Sequence, residues 1–126
     1  MNVDVEVQIL KDLPIDKINK YVDLVIYGIA RNTLDYTMAE NRFPYKTGNL
    51  QRSSMAQGVR QEQNGTYCLD IPENAQYAVF VWDMPQETTN WTNPDTYAKW
   101  YLTTFQNKKE VITQQAIDNA KRSINE

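Results

Sequence analysis

Hydrophobic and polar positions alternate near the start of the chain. Four β-branched residues occupy every second position from residue 3 to residue 9, with acids or glutamine between them. Alternation with a period of two gives an extended backbone one dry face and one wet face. The pattern therefore predicts a β-strand whose dry side is formed by Val3, Val5, Val7 and Ile9.

After residue 13 the period becomes that of a helix. Pro14 suits a first helical turn, and the apolar stripe that follows reaches Met38 and must stop before Pro44, which has no N–H to donate. Gly28 costs about 1 kcal/mol relative to alanine there but would permit close packing. The stripe is wide enough that the helix is expected either to lie deep in the domain or to contact another subunit. Its central residues are Ile15, Ile18, Val22, Val25 and Ile29.

The middle of the chain carries a hairpin signal. Asn64-Gly65 is a strongly favoured two-residue turn between antiparallel strands, so residues 55–63 are expected to pair with residues 66–71. Pro72 would end the second strand, since it cannot donate to a ladder. Cys68 lies within that strand and is expected to be half-buried rather than reactive.

Residues 77–82 form the most apolar short run of the chain, and they predict a buried strand or a short core segment. Residues 84–95 have two prolines and no periodicity, which is typical of a loop. Trp91 lies in that loop. An exposed tryptophan is unfavourable, so its ring is expected either to fold back onto the domain or to contact a partner.

The C-terminal third predicts helix. Asn93-Pro94-Asp95 is a helix-start signal, and a short helix is favoured over residues 97–105, although residues 102–105 would equally suit a strand. Asn107 and Glu110 form a capping-box-like restart before a final amphipathic helix. Its inward residues are expected to be Val111, Ile112, Ala116, Ile117, Ala120 and Ile124. The whole pattern predicts an α+β fold, with a small antiparallel sheet packed against a long N-terminal helix and a C-terminal helix, in one domain spanning residues 1–126.

Composition narrows the functional classes. The chain has 126 residues, a net charge of −3, one cysteine and no histidine. The charge argues against a nucleic-acid-binding surface, and the missing histidine excludes Ser-His and Cys-His dyads within the chain. One thiol favours a reducing compartment, and neither a signal peptide nor a membrane span is expected. No catalytic, cofactor or metal site is expected. An enzyme would have to use scattered candidates: Asp70, Glu73 and Asp83, with Tyr67 or Lys46.

The stretch FPYKTGNLQRSS, residues 43–54, lies between the long helical pattern and the strand-like patterns that follow. Its bend is expected to set the helix against the small sheet. Local physics predicts a capped turn, in which Thr47 acts as an N-cap, Gly48 allows either a close backbone approach or an unusual φ, and Leu50 points inward. The spacing Pro44-x-x-Thr47-Gly48-x-Leu50-x-x-Ser53 resembles the signature of the tail-completion or minor capsid proteins of tailed bacteriophages. Tyr77-Ala78-Val79-Phe80-Val81 resembles a second segment of that family in order and distance. The family usually continues with an acid and a glycine, where this chain has Trp82, Asp83 and Met84.

The resemblance implies a structural virion protein rather than an enzyme. It implies a homo-oligomeric ring of six or twelve copies in the phage neck, between the head connector or adaptor and the tail-tube proteins, with DNA passing through the channel without specific binding. Assembly would take place in the cytoplasm of the bacterial host, without a membrane. Candidate interface residues are Trp91, Trp82 and Tyr27. The alternative, without the resemblance, is a small non-catalytic protein-binding adaptor module.

Overall fold

The computed structural model describes residues 14–45, 48–63 and 65–124. The strand predicted from Val3 to Ile9 lies outside these ranges. So do Thr47, Lys46 and the Asn64 position of the predicted turn. Within the described ranges the fold is α+β, with a long N-terminal helix, a two-stranded antiparallel sheet and a C-terminal helix, which confirms the predicted class.

Two long helices form the frame. Helix α1 spans Ile15–Ala39, and the C-terminal helix, named α4 below, spans Trp100–Ile124. They run antiparallel, since Asn32 Nδ2 donates to the Ile112 carbonyl over 3.2 Å and Lys108 Nζ lies 3.4 Å from Glu40 Oε2.

Gly28 lies at the closest approach of the two helices. A Cβ atom at this position would lie only 2.9 Å from the Cβ atom of Ala116. Glycine is therefore needed for the contact, which confirms the predicted close packing. The predicted stripe of α1 is not deep in the domain along its whole length, because its central residues Ile15 and Val22 are exposed.

The predicted restart at Asn107 is confirmed as a break in helical geometry, where two helical segments meet at a kink. Lys108 has φ −117° and ψ 16° inside α4. The helix begins at Trp100, later than the signal at residues 93–95. Ile112, Ala116 and Ala120 are buried against α1 as expected, but Val111 is 45% exposed, so its predicted inward orientation is wrong.

The hairpin is shorter than predicted. Strand β1, Arg60–Gln63, pairs antiparallel with β2, Thr66–Cys68, and a register shift lies between Gln61 and Gln63. Residues 55–57 belong to a helix, and the second strand ends four residues before Pro72. Tyr67 joins the sheet to α1, donating to Asp23 Oδ2 over 2.8 Å.

Two short helices fill the middle of the chain. Helix α2, Asn49–Gln57, occupies much of the stretch predicted as a turn. Helix α3, Tyr77–Trp82, follows a 3-10 turn at Glu73–Ala75 and takes the place of the possible strand. In α3 only Ala78 is buried. The core cluster lies where these helices meet the ends of the long pair: Leu34, Phe43, Leu50, Ala75, Ala78, Trp100 and Tyr101.

Candidate functional site

The bend after α1 is the first part of the candidate site. Asn41 adopts the left-handed φ of 59° that asparagine tolerates, and the Arg42 N–H donates to the Thr37 carbonyl over 2.9 Å. This geometry turns the chain sharply and inserts Phe43 into the core, where it is fully buried. The bend is therefore fixed by its backbone as well as by Pro44.

A single buried amide attaches the long loop to this bend. Asn93 Nδ2 donates to the carbonyls of Asn41, over 2.7 Å, and of Phe43, over 3.0 Å. Its Oδ1 accepts from the backbone N–H of Asp95 over 3.1 Å. The Thr96 hydroxyl also donates to the Phe43 carbonyl, over 3.2 Å. The backbone polar groups of the bend are thus satisfied by residues about 50 positions away, which sequence analysis did not identify.

Arg42 strengthens the same attachment. Its guanidinium carbon lies 4.1 Å from the centre of the Tyr97 ring, in a cation–π arrangement. Nη1 donates to the Asp95 carbonyl over 3.0 Å. The entry to α4 is therefore held against the exit from α1.

The described part of the 44–53 motif has structural roles. Gly48 has φ 76°, one of the two possibilities that the motif allows, and Pro44 is buried. Leu50 is fully inward in the core cluster, also as predicted. Gly48 therefore starts α2 at the angle that brings Leu50 to Ala78.

Ser53 connects the motif to the 3-10 turn. Its hydroxyl donates to Asn49 Oδ1 over 3.3 Å and accepts from Asn74 Nδ2 over 2.9 Å. Asn49 Nδ2 in turn donates to the Asn74 carbonyl over 3.0 Å. The motif serine thus helps to align α2 with the segment that leads into Tyr77 and Ala78.

Gly48→Val is expected to lower the free energy of unfolding by about 1–2 kcal/mol, because a β-branched residue is disfavoured at positive φ. A Cβ atom there would also approach Arg52 Nη1 to 2.6 Å, although that flexible side chain can move away. Urea denaturation followed by circular dichroism measures the change. Gly65→Val separates the two causes, because it has a similar positive φ (80°) but no neighbour within 4 Å, so it should show the loss that φ alone produces. A Gly48→Val variant with wild-type stability would contradict the backbone role.

The three candidate interface residues have different environments. Trp82 is half-buried, and its ring packs edge-on against Trp100 with centroids 4.7 Å apart. Trp91 is half-buried and donates from Nε1 to the Gln86 carbonyl over 3.2 Å, within its own loop. Tyr27 is exposed on α1 and contacts the Tyr67 ring edge-on at 5.5 Å. Tyr27 therefore retains more free surface than the two tryptophans.

A different aromatic residue is the most exposed in the region. Phe80, on α3, is 77% exposed. Val79 beside it and Met84 one turn later are also exposed large apolar side chains. The sequence predicted Phe80 only as part of a buried run, because adjacent aromatic and β-branched residues do not reveal which of them faces outward.

The scattered acids do not share one site. Asp70 accepts hydrogen bonds from Arg60, which hold the pKa of that carboxyl below its usual range. Asp83 pairs with Lys99 over 3.4 Å. Asp70 and Glu73 do line the same open groove, of about 860 Å³, beside α2. A carboxylate held ionised by arginine is a poor proton donor, so this groove offers little for acid–base catalysis.

Within residues 14–45, 48–63 and 65–124, no three acidic or cysteine side chains cluster closely enough to hold a metal ion. Across the same ranges, none of the helices combines the length and apolar character needed to cross a membrane. The chain matches no protein-family model, and no similar curated protein or solved structure was found.

Proposed function

We propose that this protein is a structural subunit of a tailed-bacteriophage neck, a tail-completion protein that assembles with copies of itself into a ring. The observation that supports this most directly is the meeting of its two signature segments. Leu50 and Ala78, far apart in sequence, are both buried in one cluster, and Asn74 connects the 3-10 turn to Ser53. The resemblance therefore involves residues that cooperate in three dimensions.

The chemistry of the described surface is consistent with assembly. The groove beside α2 is lined in part by the ion pair of Arg60 and Asp70, while large apolar side chains are exposed on α1, α3 and α4. Exposed apolar groups favour contacts with other protein surfaces. Function through binding, without turnover of a substrate, agrees with this distribution.

In the proposed ring, one face would meet the head connector and the other would meet the tail-tube proteins. DNA would pass through the central channel without being held, since a subunit with net charge −3 would repel phosphates rather than release their counterions. The subunit would act in the virion neck, after assembly in the host cytoplasm.

The test is direct observation of assembly. Purified full-length protein is expected to form closed rings of one size, six or twelve copies, in negative-stain electron microscopy, with a matching mass by light scattering. Concentrations from micromolar to millimolar should be covered, because weak ring contacts need high concentration. Open chains or unlimited aggregates would count against the ring. A stable one-to-one complex with an unrelated protein, without self-assembly, would favour the adaptor alternative.

A further inference from the structure

The surface of α3 is both apolar and acidic. Val79 and Phe80 on this helix, and Asp83 and Met84 directly after its end, are all exposed, and we call them the α3 surface. Glu73 before the helix and Glu87 after it are also exposed. Asp83 itself pairs with Lys99 over 3.4 Å, so the remaining negative charge beside the helix is that of Glu73 and Glu87. The α3 surface therefore suits a partner with apolar and basic side chains.

The opposite end of the two-helix frame has that character. Ile15 is 77% exposed and Val22 is 45% exposed in the first turns of α1. Because α1 and α4 are antiparallel, the last turn of α4 reaches the same end. Four basic side chains lie there, on the two helices: Lys17, Lys20, Lys121 and Arg122. We call this set, with Ile15 and Val22, the α1 end.

Three acids also lie at the α1 end, and two of them have partners. Asp23 accepts from Tyr67, and Asp118 accepts from Gln114. Asp16 lies in the first turn of α1, where the helix dipole favours it. Among the described residues of the α1 end the formal charges sum to one positive charge, whereas Glu73 and Glu87 leave a net negative charge around the α3 surface. The two regions are thus complementary in both charge and polarity.

The α3 surface and the α1 end lie far apart on one subunit, so a contact between them joins two different subunits. Leu34 packs in the same cluster as Ala78 of α3, and Val22 and Ile15 precede Leu34 by about 18 Å and 28 Å along α1, at 1.5 Å per residue. Contact between two identical α3 surfaces would bring Glu73 and Glu87 of one copy near the same acids of the other, which like-charge repulsion disfavours. A head-to-tail contact avoids this repulsion, and repeated head-to-tail contacts close into a ring when the rotation allows.

We infer that the α3 surface of one subunit binds the α1 end of a second copy. Phe80 is the apolar anchor of this contact, and the charges around it fix the orientation. The inference rests on the proposed ring and names the two surfaces that build it. It also separates the assembly contact from Trp82, whose ring packs inside the subunit.

Three aspartate variants test the contact: Phe80→Asp, Val22→Asp and, as the matched control, Val111→Asp. Val111 has the same residue type and the same 45% exposure as Val22 but lies on neither surface. Sedimentation velocity is expected to show association at least 10-fold weaker for the first two and unchanged association for the control. Phe80→Ser should weaken association as well, and circular dichroism should show that all variants are folded.

The sharpest result comes from mixing. Each interface variant retains one intact surface, so an equimolar mixture of Phe80→Asp and Val22→Asp is expected to form a two-subunit complex and nothing larger. A mixture that stays monomeric, or a Phe80→Asp variant that assembles like the wild type, would overturn the inference while leaving the ring intact. Wild-type protein that assembles into open chains of subunits, and not into closed rings, would refute the ring but would agree with the proposed contact. A wild-type protein that is monomeric throughout would refute both.

Discussion

Trp100→Ala is expected to lower the free energy of unfolding by about 3–5 kcal/mol, the usual cost of removing a buried tryptophan. The indole is fully buried, and its ring packs against Trp82 at 4.7 Å and Phe43 at 6.5 Å. Alanine would leave a cavity where the bend, α3 and the start of α4 meet. Since small domains have total stabilities of about 5–15 kcal/mol, this one change removes a large share. Urea denaturation followed by circular dichroism would measure it.

Two further variants make this measurement specific. Trp91→Ala removes the same side chain from the loop, where it is half-buried, and should cost clearly less. Trp100→Phe retains an aromatic ring and should recover part of the loss. Equal effects of Trp91→Ala and Trp100→Ala would show that the aromatic cluster is not the centre of stability.

Gly28→Val is expected to cost about 2–3 kcal/mol, in the upper range of overpacking substitutions. The added Cβ would lie 2.9 Å from the Cβ atom and 3.2 Å from the Cα atom of Ala116. A backbone atom cannot move aside alone, so α1 and α4 would have to separate. The expected result is a lower melting temperature, measured by thermal denaturation at fixed protein concentration.

Ala39→Val is the matched control, since Ala39 is an exposed position in the last turn of α1. It should change stability by less than about 1 kcal/mol, a typical surface effect. Ala116→Gly should make room for a side chain at position 28, so the double variant should be more stable than the two separate effects predict. Simple additivity of Gly28→Val and Ala116→Gly would contradict direct contact.

The long elements could be predicted because their patterns are long. The helical stripe from Ile15 predicted α1, and the Asn107 signal correctly marked the kink at Lys108, where two helical segments of α4 meet. The short elements could not be predicted in this way. Helix α2 has only Leu50 and Ser54 buried, too few positions to reveal a period. Residues 77–82 have strand-forming side chains, and tertiary contacts through Ala78 override that preference.

Only part of the candidate site could be predicted from the sequence. The motif correctly predicted an inward Leu50 and allowed an unusual φ for Gly48, because both follow from local backbone geometry. The role of Asn93 could not be predicted, since its acceptors belong to Asn41 and Phe43, and asparagine before proline usually indicates a turn. The exposure of Phe80 depends on which side of a six-residue helix faces the core, which composition does not specify.

The contact between Gly28 and Ala116 also has a consequence for the proposed ring. With so little side-chain material between them, we expect α1 and the part of α4 after the Lys108 kink to act as one stiff unit, so that the surfaces near its two ends keep a constant angle. That angle, more than the strength of each contact, would set how many copies complete a circle. A substitution that spread the helices would therefore be expected to alter the copy number or to produce an open spiral.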